Sequence, residues 1–418
     1  MQLPDDTYRI DTEENKAFLK GLREDLLRFG RRFPSPGGSS YYLWDDGTPQ
    51  TDRPRETWIT SRMAHVYSIG ALLDCDGCAQ LAGEAIKGLR GELKDTENGG
   101  WYSGICSDGS ILCDKQCYAH AFVILAASSA MSAGISGAED LLTEALEVFD
   151  RFFWNDDEGL CADTWDTGFE SLSDYRGVNA NMHTVEAYLA AADAIPDEKY
   201  RIRAGRMIDR VIEWAEEYNW RIPEHFTRQW EPCPDHNKDR PDDPFKPFGA
   251  TPGHGIEWSR LIIEWAVSSY RGNDEEAQKY IPPAKHLYDR AVSDAWYCDG
   301  APGLCYTTDW NGKAIVHDRM HWTLAEAINT SSVLYRVTGD DRYSKDYEMF
   351  MKYLDEYVVD HQNGSWFHQL DRNNHLIGTV WPGKSDLYHA FQATLIPYVT
   401  DPGSSITTAV KEQKGDFH

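Results

Sequence analysis

Residues 248–261 read FGATPGHGIEWSRL: a Gly/Pro turn, a histidine, a glutamate three residues on, then an apolar run of helical period. The helix that this stretch opens, over 254–271, is the eighth of twelve helix-period patterns. The others cover 14–32, 55–74, 76–94, 115–133, 137–154, 180–194, 197–218, 275–296, 320–338, 340–360 and 386–397. Connections from even to odd helices are short, such as "DCDG", "AGISG" and "VTGDD". Those from odd to even helices are long and place Gly before aromatics: "NGGWYSGI", "EGLCADTWD", "EHFTRQW", "PGLCYTTDW" and "NGSWFHQLD". Each of these predicts a small β-hairpin.

This helix–hairpin unit recurs roughly every 60 to 80 residues. Six helical hairpins predict an all-α chain forming one (α/α)6 barrel over 1–418, with short β-hairpins in the long loops at one end. An open solenoid, the competing layout, carries a tighter repeat. The even helices are apolar all round and form the inner ring, whereas the odd ones are charged, as in "KYRIRAGRMIDRVIEWAEEY". The inner helices nevertheless begin with ionisable or amphipathic residues. These are Trp58, Arg62 and His65; Tyr118 and His120; Asn179, His183 and Glu186; His254 and Glu257; Trp322 and Glu326; and Tyr388 and His389 after Asp386. Their first turns are expected to converge at one mouth, so the histidine and glutamate of the opening stretch face a central pocket.

Composition narrows the class. Aromatics make up 12%, with 15 Trp and 22 Tyr, which suits stacking on sugar rings as well as filling a large core. The net charge of −27 argues against a nucleic acid or an anionic membrane as partner and favours solubility. Nine cysteines include one CxxC, Cys75 and Cys78, without the second pair that a zinc ribbon needs. They read as reduced, mostly buried thiols in a cytoplasmic protein. The acidic start "MQLPDDTYRIDTEENK" lacks the apolar segment of a signal peptide, and no apolar run is long enough to span a membrane.

His254 and Glu257, at i and i+3, share a helix face. A carboxylate beside an imidazole fixes its tautomer and suits it to acid–base work near neutrality. His183 and Glu186 repeat the spacing. Such a pair also serves as an ordinary helix start; two pairs plus His389 at equivalent positions favour chemistry. No HExxH, GxSxG, GxGxxG or P-loop pattern occurs, so the expectation is an enzyme without metal, cofactor or nucleophilic serine. Cys117 lies in apolar surroundings that keep a thiol protonated. Glycoside hydrolysis, which needs two carboxylates such as Glu224 and Asp386, is the rival class. The histidine-weighted inward set favours moving a proton from carbon next to a carbonyl.

Across nearly the whole chain and in order, "TWITSRMAHVYSIGALL", "GGWY", "DYRGVNANMHTVEAYL", "EHFTRQWEPCPDHNKD", "FGATPGHGIEWSRL" and "NGSWFHQLD…DLYHAF" resemble the N-acylglucosamine 2-epimerase superfamily. They look most like its aldose–ketose isomerase branch. The resemblance implies an (α/α)6 barrel and metal-free isomerisation through a cis-enediol, with a monosaccharide as the small-molecule partner. It implies His389 as the base between C2 and C1, His254 as the second acid–base group, and Glu257 as the residue orienting His254. Arg62 would bind substrate oxygens and favour the enediolate. Trp58, Tyr118, Asn179, His183, Trp322 and Glu326 would hold the sugar. Where sulfonate-handling relatives carry an Arg and two Gln, this chain has Pro244, His368 and Ser385. An anion wants such donors, so the expectation is an uncharged hexose, D-mannose to D-fructose, with D-lyxose to D-xylulose also admitted by the family. A sulfonated sugar and 2-epimerisation, which the same histidines serve, are the alternatives.

Overall fold

The structure, a computed structural model, describes residues 6–417. In chain order the α-helices are α1 (Glu13–Gly30), α2 (Thr57–Leu72), α3 (Cys78–Arg90), α4 (Cys117–Ser132), α5 (Ala138–Phe152), α6 (Val178–Ala194), α7 (Lys199–Glu217), α8 (Pro252–Ser269), α9 (Asp274–Gln278), α10 (Ile281–Ala295), α11 (His321–Thr338), α12 (Asp341–Tyr353), α13 (Tyr388–Ala393) and α14 (Ile406–Glu412). Helix α2 packs on α4, α4 on α6, α6 on α8, α8 on α11, α11 on α13, and α13 returns to α2. That closes an inner ring. Helices α3, α5, α7, α10 and α12 each pack outside the inner helix before them, and α1 packs on α13. The fold is therefore the expected (α/α)6 barrel. The inner helices are buried almost throughout, and the outer ones bury a single face, as the sequence pattern requires.

Three features differ from the expected helix map. The ninth pattern is divided, because Pro282 and Pro283 lie in the first turn of α10, where missing N–H groups cost nothing, and so start a new helix after α9. The twelfth is short: α13 ends at Ala393, and Pro397 falls in a 3-10 turn, Ile396–Tyr398. Helix α14 was not expected from its polar sequence. It packs on α2, α4 and α6, and Thr407 Oγ1 lies 2.9 Å from Ser129 Oγ near the C-terminal end of α4. It closes the barrel end opposite the inner helices' N-termini.

The long connections hold the expected two-residue strands, but their pairing is more than local. Local hairpins join 104–105 to 111–112, 154–155 to 160–161, and 307–308 to 314–316. Between them runs a second set. The strand leading into α2 pairs with the next long connection (Arg55 with Ile105), and likewise Lys115 with Trp165, Arg176 with Phe226, Ala250 with Thr308, and Arg319 with Leu370. Leu43 with Lys384 closes the circle. These pairings form a ring of backbone staples around the mouth and fix where each inner helix begins. Gly249 permits one of them: at φ +89° it needs the left-handed region, and a Cβ there would meet Thr308 O at 2.1 Å.

Two staples each rest on a buried lysine–aspartate ion pair of the same kind. Lys115 Nζ donates to Asp95 Oδ2 at 2.7 Å and to Gly99 O at 3.0 Å. Lys384 Nζ donates to Asp360 Oδ2 at 2.6 Å and to Gly364 O at 2.7 Å. Each aspartate also accepts backbone N–H bonds from the turn that follows it. These turns are the "ENGGW" and "QNGSW" segments, so the repeated motif read from sequence is a repeated lysine–aspartate lock.

Candidate active site

The staples place equivalent residues of the inner helices on one cavity. Second residues line its wall: Trp58 of α2, Tyr118 of α4, Asn179 of α6, Trp322 of α11 and His389 of α13. Helix α8 is offset by one, and its third residue, His254, takes the place. One turn deeper the sixth residues follow: Arg62, His183, Glu257 and, below the cavity, Glu326. Gly253 lets α8 approach α11, since a Cβ there would sit 2.6 Å from the Trp322 ring. The His254 ring lies 5.0 Å from Trp322 and the His389 ring 5.8 Å from it, so one indole flanks both imidazoles.

Each of these histidines is held by a buried carboxylate from another element. His254 Nδ1 donates to Glu224 Oε1 at 2.9 Å, and His389 Nδ1 donates to Glu326 Oε1 at 2.9 Å. Both Nε2 atoms are thereby left as lone-pair nitrogens. Arg260 Nε donates to Glu326 Oε2 at 3.0 Å, which favours the ionised carboxylate against the upward push of burial. Burial, then the Arg62 charge, holds His389 well below the ordinary imidazole value.

Two expected roles are thus corrected. Glu257 does not orient His254; Glu224, on the strand-forming connection before α8, does so. Both Glu257 oxygens are buried without a hydrogen-bond partner, 3.8 Å from Arg260 and 4.0 Å from His183 Nδ1. Burial and the nearby Glu326 push Glu257 well above the ordinary carboxyl value, which favours the neutral acid at the cavity wall. Glu326, expected against the sugar, is wholly buried behind His389 and positions it.

Arg62 donates to Asp386 Oδ2 at 3.1 Å and to Tyr118 Oη at 2.9 Å, and its guanidinium lies over the Trp58 ring. Asp386 in turn accepts the Tyr388 N–H at the start of α13. His183 stands 3.7 Å from Glu186 and is pushed down to about 4 by burial. Glu186 itself is taken up below the cavity by Tyr388 Oη and Gln392. His65 and His120 do not reach the cavity. His65 packs against Ser129 and Gln392, and His120 ties Gln116 O to the Trp101 N–H. Sequence reasoning missed Tyr306, His321, Phe245, Pro247 and Trp381, which complete the lining with Pro244, His368, Ser385 and Asp386. Apart from His321, the first residue of α11, these come from connections and strand ends, where no helical period marks an inward side.

Among the described residues, two buried sets bring metal-ligating atoms close together: His183, Glu186 and Glu257; and Glu257, Glu326 and His389. Both share Glu257, whose proton affinity burial raises, and Arg260 already places a cation beside the carboxylates. These groups fit a proton-transfer site better than a cation cage. The nine cysteines are unpaired, and Cys78, Cys117, Cys161 and Cys305 are the buried ones, fewer than expected. Among the described residues no helix is long and apolar enough to cross a membrane.

Residues 37–393 match the family model for N-acylglucosamine 2-epimerase (GlcNAc 2-epimerase). The chain is 40% identical over 380 residues to the D-mannose isomerase of Pseudomonas cannabina pv. alisalensis, covering 91% of each. It is 37% identical over 386 residues to the D-mannose isomerase of Thermobifida fusca, covering 92% of this chain and 94% of that one. A crystal structure of a D-mannose isomerase superposes with a TM-score of 0.84 at 28% identity, covering 91% of this chain and 97% of the other.

Proposed function

The chain belongs to the N-acylglucosamine 2-epimerase family, and from that premise we propose that it is an aldose–ketose isomerase interconverting D-mannose and D-fructose. One observation carries the chemistry: His254 and His389 flank Trp322 in one cavity, each with Nδ1 tied to a carboxylate and Nε2 free to take a proton. In the opened sugar, His389 Nε2 removes the C2 proton, and the C–H electrons form the C1–C2 double bond of an enediolate. His254 Nε2 takes the proton from O2 and delivers it to O1. As the C2 carbonyl forms, His389 returns its proton to C1. The Arg62 guanidinium and the neutral Glu257 carboxyl stabilise the charge on the enediolate oxygens. Trp58, Tyr118, Asn179, His183 and Trp322 hold the sugar.

The test is proton NMR in D2O with D-mannose, D-glucose and a 6-sulfonated glucose offered separately. The reading expects fructose from mannose, with solvent deuterium at C1. Deuterium confined to C2 with glucose as product would replace isomerisation by 2-epimerisation. Turnover of the sulfonated sugar alone would overturn the substrate.

A further inference from the structure

The cavity wall holds a second histidine pair, His321 and His368, with no part in the proton transfer. Their rings stack 3.7 Å apart at an interplanar angle of 13°. Both line the cavity, both are more than nine-tenths buried, and both Nε2 atoms lack a protein partner. The bonds at Nδ1 fix the two tautomers oppositely. The Ser385 backbone N–H donates to His368 Nδ1 at 3.1 Å, so that nitrogen carries the lone pair and His368 Nε2 the hydrogen. His321 Nδ1 faces the His368 carbonyl oxygen at 3.4 Å; a carbonyl only accepts, so His321 Nδ1 carries the hydrogen and its Nε2 the lone pair. The stack therefore shows the cavity one N–H donor and one acceptor. Two imidazolium rings in such contact would repel each other, and burial pushes His321 down to about 4 and His368 well below its ordinary value.

We infer that the His321–His368 stack is a hydroxyl-reading subsite that binds the end of the sugar not held by His254 and His389 and rejects an anionic group there. A hydroxyl both donates and accepts, and so satisfies both nitrogens. A sulfonate or phosphate only accepts; it would leave the His321 lone pair unpaired and facing negative charge in a dry site. The Arg62 guanidinium, which donates to Asp386 and Tyr118, serves the enediolate oxygens at the reacting end of the sugar in this reading. This inference rests on the sugar-isomerase reading and names the substrate feature which that site selects.

The experiment measures kcat/KM and calorimetric affinity for D-mannose, 4-deoxy-D-mannose, 6-deoxy-D-mannose and D-mannose 6-phosphate. Enzymes are the wild type, His368→Phe and His368→Gln, the last placing an amide N–H near the lost Nε2–H. The wild type is expected to lose about ten- to hundredfold on at least one deoxy sugar, and at least as much on the phosphate. His368→Phe should lose a similar factor on D-mannose and become indifferent to that hydroxyl, and His368→Gln should restore the preference. A wild type that treats all four sugars alike, or a folded His368→Phe that discriminates as the wild type does, overturns the subsite while mannose turnover leaves the isomerase reading standing. If mannose is not turned over, the isomerase reading falls and the binding affinities alone decide the subsite. The wild-type panel stands whether or not the phenylalanine variant folds.

Discussion

Glu326 Oε1 accepts a 2.9 Å hydrogen bond from His389 Nδ1, across 63 residues of sequence and from a position wholly shielded from solvent. The carboxylate touches no sugar in this arrangement; it chooses which nitrogen of His389 carries the proton. Glu326→Gln keeps the volume but can present an amide N–H instead, which favours the wrong tautomer. Its kcat is expected to fall on the order of a hundredfold with KM within a few-fold of wild type. A rise in KM at unchanged kcat would show that Glu326 serves binding instead. His389→Ala, which removes the base itself, should cost at least about a hundredfold in kcat and still bind sugar.

Glu257 offers a contrast. Its carboxyl has no hydrogen-bond partner in the protein, and burial raises its proton affinity. A neutral acid is mimicked by an amide, so Glu257→Gln is expected to retain far more activity than Glu257→Ala, by about tenfold or more in kcat/KM. Equal activities of the two variants would mean that the carboxyl makes no contact in the transition state.

The pH profile follows from two opposite shifts. A base must be unprotonated to act, and burial holds His389 well below the ordinary 6.5. As pH falls through 6.5 the active form therefore persists, and the acid limb of kcat/KM should lie clearly below that value rather than at it, as the bare sequence would suggest. Glu257 must keep its proton, and its affinity is raised, so activity declines on the alkaline side only after pH passes its elevated value; Glu257→Gln should flatten that limb. An acid limb centred at 6.5 in the wild type would contradict the burial argument.

Dialysis against EDTA is expected to leave kcat unchanged, because Arg260 supplies the positive charge beside Glu326 and Glu257. Loss of activity restored only by added divalent cation would place a metal in one of the two carboxylate–histidine sets.

Lys384 is wholly buried, and its ammonium donates to Asp360 and to two backbone carbonyls. Lys384→Met strands the Asp360 carboxylate and loosens the staple between Leu43 and residue 384. A destabilisation of about 3–5 kcal/mol in urea unfolding is expected. A change under about 1 kcal/mol would show that the lock is not structural.

Much of the scaffold was legible because helical period is local. Apolar runs on alternate helices mark an inner ring, and a polar residue at the second or sixth position of such a helix, as at Tyr118, His183 or His389, has nowhere to point but the axis. The prolines at 282, 283 and 397 shifted helix ends in ways a periodicity count averages over. Helix α14 escaped because seven largely polar residues carry too little pattern. Glu224 was named only as a hydrolase-type carboxylate and not as the partner of His254, because one acidic residue among 68 Asp and Glu has no periodic signature in a connection.

By itself, then, the sequence determined the helical repeat, the inner ring and the chemical kind of its first turns, since these depend on residues within a few positions of one another. Only the tertiary structure decided that Glu224 rather than Glu257 holds His254, that Glu326 stands behind His389, and that His321 meets His368. Those pairs are 30, 63 and 47 residues apart. Their meeting is set by how the staples and packed helices turn each chain segment toward the axis, and no short-range pattern encodes it.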